Sequence, residues 1–357
     1  MKGCEKMNKL THVQEILKDQ NLDAFLVMSS YNRRYLSDFT GSSGAVIITP
    51  EESFLMSDFR YKAQGKEQAK NLKFILQESS LIDSIINFLQ EKGVKTLGFE
   101  GEHVNYNTYD KLNSSFELVA LTGEVEKIRQ FKTDEELALI QKACEIADAS
   151  YEHILKFVKA GMTEMEVKNE LEAHMISLGA SGPSFDTIVA SGYRGALPHG
   201  VASDKVIEDG DMVTLDFGAY YKGYASDITR SFAVGSVSDE MKKVYDIVLE
   251  SQLAALDGIK NGMTGQEADA IARDIISSYG FGDNFGHSLG HSFGLEVHES
   301  PGLSSKSSDV LKPGMCVTVE PGIYIDGVGG VRIEDDALVT EDGLKKLTHS
   351  SKELFII

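Results

Sequence analysis

From about Val13 the chain alternates short amphipathic stretches with short apolar ones. VQEILKDQ and LIDSIINFLQEKG space their apolar residues along one helical face, whereas DAFLVMS, GAVIITP, SFLMSD, FILQ, TLGFE and FELVAL are β-prone runs between turn residues. That alternation predicts an α/β domain. After Glu124 the pattern lengthens into helical stretches, beginning with TDEELALIQKACEIADASYEHILKFVK, where Thr133 and Glu136 have the spacing of a capping box. The domain boundary is placed near residue 125, giving an accessory domain of 1–125 and a larger one of 126–357.

The larger part repeats itself. Thr163 opens a helix in AGMTEMEVKNELEAHMISLG and Thr264 opens another in NGMTGQEADAIARDIISSYG, each after Gly-Met and each with Glu three residues later, at an offset of 101. Further on, VTLD (213–216) is echoed by VTVE (317–320) at 104, and Asp227 by Glu334 at 107. The ordered series of helix start, strand and acid predicts a pseudo-two-fold α+β layer, with helices outside and strands lining a central site.

Each half contributes two acids on strand-like sequence about a glycine-bearing turn. If Asp216 faces Asp227, the first hairpin centres between Tyr221 and Lys222, beside Gly223. If Glu320 faces Glu334, the second centres on Gly327. Facing residues on one sheet face have Cβ atoms roughly 5 Å apart, so each hairpin can present two carboxylates to a common point. His291, in GHSLGH, stands between the two stretches. Four clustered carboxylates repel one another unless cations are present, and two divalent ions would cancel their charge. Oxygen-rich ligation with one imidazole suits Mn²⁺, Co²⁺ or Fe²⁺, whereas structural Zn²⁺ more often recruits Cys and several His. Ions about 3.5–4 Å apart can bridge and ionise one water, which makes hydrolysis the implied chemistry.

Composition narrows the picture. The chain has 357 residues, 42% hydrophobic and 25% charged, enough for two domains or one large one. A formal charge of −20 argues against a nucleic-acid partner, which needs clustered Lys and Arg. Cys4, Cys144 and Cys316 are too few and too scattered for a disulfide framework or a cysteine metal site, which fits a reducing cytoplasm. No apolar run flanks Cys4, so no signal peptide or lipid anchor is expected, and Met7 is an alternative start. No apolar stretch reaches the roughly 20 residues of a membrane span.

His287 and His291 are four apart, but HSLGH lacks the Glu of a helical zinc motif and glycines interrupt it, so no helix is expected. Glycine there lets backbone approach a crowded centre. His199, His287, His291 and His298 occur in Gly- or Pro-rich context without helical periodicity. His12, His103, His153, His174 and His349 read as structural or solvated, and Tyr220, Tyr221 and Tyr224 as strand packing.

LPHG at 197–200, LDFGAYYKGYASDITR at 215–230, HSLGHSFGLEVHESP at 287–301, VEPGIY at 319–324 and GGVRIED at 329–335 resemble the creatinase/aminopeptidase P/prolidase group of metallopeptidases. The resemblance covers nearly the whole chain, since NRRYLSDFTGSSG and SDFRY are similar to that group's amino-terminal domain. It implies the pita-bread fold preceded by a smaller creatinase-type α/β domain. It also implies metal ligation by Asp216, Asp227, His291, Glu320 and Glu334, with Asp227 and Glu334 binding both ions. His199 and His298 would steer the scissile carbonyl and stabilise the oxyanion. Glu320 would take the proton of the bridging water. Arg332 would orient the carboxylates, and His287 would line the substrate pocket.

Such enzymes cleave the bond before proline, so the expected partners are short peptides with proline second. Two divalent ions per subunit are expected, Mn²⁺ foremost, then Co²⁺, Fe²⁺ or Zn²⁺. A cytoplasmic homodimer is expected, with the amino-terminal domain contributing to dimerisation and to one wall of the cleft. Methionine aminopeptidase shares the ligand set but usually lacks such an amino-terminal domain, and creatinase does not keep the ligands. A non-catalytic pita-bread module that binds a peptide or protein is the alternative of a different class, and its mark would be lost ligands. Some dipeptide-specific prolidases place an Arg directly after the HExP segment. Gly302 occupies that position here, which tilts the expectation slightly toward an Xaa-Pro aminopeptidase. Ser304 to Ser308 read as a mobile polar loop near the pocket or a solvated connection.

Overall fold

The capping box at the start of the long helical region is formed: the Glu136 N–H donates to Thr133 Oγ1 at 3.3 Å and the Thr133 N–H to Glu136 Oε2 at 2.8 Å. Thr163 with Glu166 and Thr264 with Glu267 close the same box. The computed structural model describes residues 9–357; Cys4 and Met7 lie outside the described residues. Two compact units divide between Arg129 and Gln130.

In the first unit, strands β1 (Ala24–Val27), β2 (Ala45–Ile48), β3 (Ser53–Ser57), β4 (Lys73–Leu76), β5 (Thr96–Glu100) and β6 (Glu117–Leu121) form one sheet in the order β4-β3-β2-β1-β5-β6. These are the six apolar runs of the sequence. β3–β4, β1–β5 and β5–β6 pair in parallel across helical crossovers; β2–β3 is an antiparallel hairpin on a short connection, and β1–β2 is antiparallel although α2 lies between its strands. The helices are α1 (Lys9–Asp19), α2 (Ser30–Ser37), α3 (Lys62–Gln68), α4 (Leu81–Glu91), α5 (Tyr106–Asn113) and α6 (Glu124–Arg129). Ile85 and Leu89 of α4 pack on Leu26, Ile47 and Met56 of the sheet. Burial of each such side chain contributes about 1.5–3 kcal/mol.

The second unit is built from two similar halves. The first contains α7 (Asp134–Phe157), α8 (Glu164–Ser177), β7 (Gly182–Pro183), β8 (Ile188–Ser191), β9 (Met212–Phe217), β10 (Ala219–Tyr221), β11 (Tyr224–Ala225) and β12 (Ile228–Ala233). The second contains α9 (Asp239–Gly258), α10 (Gly265–Ser278), β13 (Gly290–Ser292), β14 (Glu299–Leu303), β15 (Cys316–Val319), β16 (Gly322–Ile325), β17 (Gly329–Arg332), β18 (Asp335–Thr340) and β19 (Gly343–Lys346). The repeat extends to individual backbone hydrogen bonds. Glu164 N–H donates to Lys205 O at 3.0 Å and Gly265 N–H to Asp309 O at 2.9 Å; Met165 N–H donates to Ser203 O and Gln266 N–H to Ser307 O. Helices lie outside and strands inside, as Val167, Leu171 and Met175 of α8 pack on Val213, Leu215 and Phe217 of β9. This is the α+β pita-bread arrangement, preceded by a separate α/β unit.

The second hairpin has the expected register: Gly322 pairs with Arg332 and Ile325 with Gly329, centring the turn on Gly327. The first is shifted by two residues. Tyr221 pairs with Tyr224 and Asp216 faces Thr229, not Asp227. Turn chemistry explains the shift. Lys222 and Gly223 adopt φ of 48° and 85°, the left-handed pair of a two-residue hairpin, whereas the expected centre would have forced Tyr221 into that region. The segment 304–308 is tied down: Ser307 N–H donates to Ser304 O, and Ser307 O accepts from the amino terminus of α10. Among the described residues no helix is long and apolar enough to cross a membrane.

Candidate metal centre

Asp216 is carried by β9, and Asp227 lies where the chain leaves the β10–β11 hairpin before β12 begins. With no strand partner there, the Asp227 N–H donates to the buried Asp336 carboxylate at 2.8 Å, which fixes the backbone from behind. Glu320 follows β15, and Glu334 sits between β17 and β18. Thr229, the residue facing Asp216, donates its hydroxyl to Glu334 Oε2 at 2.6 Å. The two halves therefore meet carboxylate to carboxylate. Asp216, Asp227 and Glu334 each offer an oxygen within 4.8 Å of the others.

His291 lies on β13, an extended strand and not a helix. Its position depends on Gly290, where a Cβ would sit 2.1 Å from Thr318 O, a contact only glycine permits. His291 N–H donates to Thr318 Oγ1 at 3.0 Å, and that hydroxyl donates to Glu320 Oε1 at 3.1 Å. His291 Nδ1 lies 3.1 Å from Ser292 O, which can only accept, so Nδ1 carries the proton. Nε2 then turns its lone pair toward Glu320 Oε1 at 3.4 Å and Asp227 Oδ2 at 3.7 Å. A lone pair facing carboxylate oxygens is the arrangement of a ligand awaiting a cation.

Electrostatics point the same way. Burial, reinforced by Glu334 and Asp216, lifts the Asp227 carboxyl well above its usual range. Burial and then Glu320 lift Glu334 similarly, and Glu320 is pushed up to about 8, chiefly by burial. Burial, aided by His298, lowers His291 to about 4 and keeps it neutral. Asp216 Oδ1 and Glu334 Oε1 are buried without a hydrogen-bond partner. Orphaned buried oxygens are rare, and a metal would satisfy both. The donor set of four carboxylates and one neutral imidazole fits divalent cations.

Arg332 holds this layer together. Its Nη2 donates to Asp216 Oδ2 at 2.5 Å, its Nε to Thr229 Oγ1 at 3.1 Å and its Nη1 to Tyr324 OH at 2.6 Å. Since Tyr324 oxygen receives Nη1, its own proton goes to His287 Nε2, 2.8 Å away, and His287 Nδ1 donates to Ser288 O. Burial and the Arg332 charge lower His287 to about 4, so it is a neutral wall residue.

A cavity of about 540 Å³ opens over the carboxylates, and its lining includes all nine site residues expected from the sequence: His199, Asp216, Asp227, His287, His291, His298, Glu320, Arg332 and Glu334. Its volume lies in the range of small-molecule and short-peptide sites. The His298 and His291 rings meet edge to face at 4.4 Å. Gly302 and Ser304 also line it. Thr229, Thr318, Tyr324 and Asp336 were not foreseen. Only the place of Thr318 and Thr229, two residues from an acid and so on its strand face, hinted at them.

Residues 138–341 match the model of metallopeptidase family M24, and residues 9–131 that of the creatinase/prolidase N-terminal domain. The chain belongs to metallopeptidase family M24. It is similar to the Xaa-Pro dipeptidase of Pyrococcus furiosus, 41% identical over 98% of this chain and 99% of that one. The solved structure of an Xaa-Pro dipeptidase from Bacillus anthracis superposes with a TM-score of 0.96 at 50% identity, covering 98% of this chain and 99% of that one. An X-Pro aminopeptidase from Thermotoga maritima gives 0.89 at 39% identity, covering 94% and 98%. In this chain all nine expected site residues lie in one unit, residues 130–357.

Proposed function

We propose that this M24 protein hydrolyses the Xaa-Pro bond of Xaa-Pro dipeptides, with Asp216, Asp227, His291, Glu320 and Glu334 holding two divalent ions. The observation that carries the reading is the pair of orphaned oxygens on Asp216 and Glu334, from opposite halves, beneath a cavity of about 540 Å³. Bound ions would polarise the scissile carbonyl and make water nucleophilic at neutral pH.

The chain's own residues supply the rest. Glu320 can receive a proton from the attacking water and pass it to the departing proline nitrogen as the C–N bond breaks. His199 and His298 donate to the carbonyl oxygen as it gains charge. Arg332 keeps Asp216 in place, and His287 forms a neutral wall for the substrate. Mn²⁺ as the preferred ion, a homodimer and a cytoplasmic location belong to this proposal through the family resemblance.

The tilt toward an aminopeptidase drawn from Gly302 gains no support. Gly302 lines the cavity and a Cβ there would meet nothing within 4 Å, so its backbone imposes no steric choice between the two substrate lengths. Relatives named Xaa-Pro dipeptidase favour the dipeptidase, and the Thermotoga maritima neighbour keeps tripeptides in the test. Purified, Mn²⁺-loaded protein is compared on Xaa-Pro and Xaa-Pro-Yaa; a kcat/KM higher on the dipeptides is expected. Preference for tripeptides would reverse the assignment, and no cleavage of either with metal bound would favour the binding module.

A further inference from the structure

Glu164 is the first residue of α8 and is fully buried, 0% exposed. Its carboxylate reaches the segment joining β8 to β9. Oε1 accepts the Ser191 N–H at 2.8 Å and the Ser191 hydroxyl at 2.9 Å. Oε2 accepts Arg194 Nη1 at 2.6 Å, the Ser203 N–H at 3.1 Å and the Ser203 hydroxyl at 2.7 Å. A buried carboxylate is costly unless paired and hydrogen-bonded, and a guanidinium with four neutral donors meets both needs.

The donors lie at the two ends of residues 191–203, and His199 lies between them. The His199 imidazole is exposed in the cavity lining and makes no hydrogen bond to any described residue. No such hydrogen bond fixes the ring itself, so its aim follows the backbone that carries it. Arg194 strengthens the tie, because its Nη2 also donates to Val201 O at 3.0 Å, two residues after His199. Within the segment, Leu197 N–H donates to Arg194 O and Gly200 N–H to Leu197 O, so the clamped ends are joined to His199 by consecutive turns. The repeat breaks here: in the second half the equivalent residue after Thr264 is Gly265, with no side chain to clamp anything.

We propose that Glu164 is a positioning residue for His199, acting by pinning both ends of the segment that carries it. This rests on the assignment of His199 to the substrate carbonyl made above. Pinning matters because a displacement of about 1 Å in a reacting group can cost roughly a hundredfold in rate.

The test is a double-mutant cycle on the Mn²⁺-loaded full chain, with kcat and KM on an Xaa-Pro dipeptide and Mn²⁺ binding by calorimetry. Glu164→Gln should lower kcat about tenfold, and His199→Ala roughly a hundredfold, with KM and Mn²⁺ affinity unchanged. In the His199→Ala background, Glu164→Gln should cost nothing more in kcat. Should Glu164→Gln fail to fold, Ser203→Ala removes one donor at the far end of the segment and should give a few-fold loss with the same split. Wild-type turnover in both clamp variants, beside a damaged His199→Ala, would overturn the clamp alone. Equal losses with and without His199 would overturn it too, as a general effect on the fold. Full activity of His199→Ala would instead overturn the assignment of His199 and leave the clamp nothing to position.

Discussion

Thr229 Oγ1 donates to Glu334 Oε2 at 2.6 Å, joining two residues 105 positions apart and from opposite halves of the repeat. The same hydroxyl receives Arg332 Nε, so one threonine relates the acid of the second half to the arginine that holds Asp216. Thr229→Val preserves shape and removes this link. Metal affinity should fall roughly 10–100-fold, the usual effect of losing an outer partner of a ligand. Calorimetric titration with Mn²⁺ measures it, and unchanged affinity would show that Glu334 is oriented by other means.

Asp227→Asn removes one charge from the carboxylate group and one donor from the site. Metal binding and activity should be lost together while circular dichroism keeps its native form. Because burial and the neighbouring acids raise Asp227, the metal-free variant should also melt higher than the metal-free parent. Retained activity would refute the ligand assignment.

His298 touches the ring of His291 but is assigned to the substrate carbonyl, not to metal. His298→Ala should bind Mn²⁺ normally and lose roughly a hundredfold in kcat, the scale of one missing oxyanion donor. A fall in metal content measured by elemental analysis would move His298 among the ligands.

On the outer helices, His153 and His174 stack with ring centroids 4.0 Å apart, and Glu170 bonds His153 at 2.7 Å. Burial, then the neighbouring His153, holds His174 below its usual 6.5, with Glu170 opposing. The unfolded chain therefore takes up this proton at higher pH than the folded one. The contribution to stability is complete above about pH 6.5 and is lost as pH falls through the folded value. Thermal melts between pH 8 and 5 should decline below about 6.5, and less steeply in His174→Gln; parallel declines would remove His174 from the explanation.

Much of the site was legible because its chemistry is written locally. The hairpin between Glu320 and Glu334 has the register expected from the sequence, with Gly327 at its centre taking a φ of 73°. Asp216 and Asp227 do not face each other as expected: Lys222 and Gly223 take the left-handed turn positions, which sets Asp216 opposite Thr229 and leaves Asp227 between strands. Tyr324 lay inside a quoted motif yet acquired a role only when Arg332 and His287 met on its hydroxyl. Glu164 lies inside a quoted helix start, and nothing local marks its five donors.

The sequence by itself determined the alternation of elements, the two-fold repeat, the kinds of ligand and the chemistry they imply, because periodicity, turn residues and side-chain type are local properties. Tertiary structure decided which oxygens were left without partners, which hydroxyl bridged the halves, and how the His199 segment was held. Those relations depend on packing residues up to about a hundred positions apart, where the chain's own spacing no longer constrains distance.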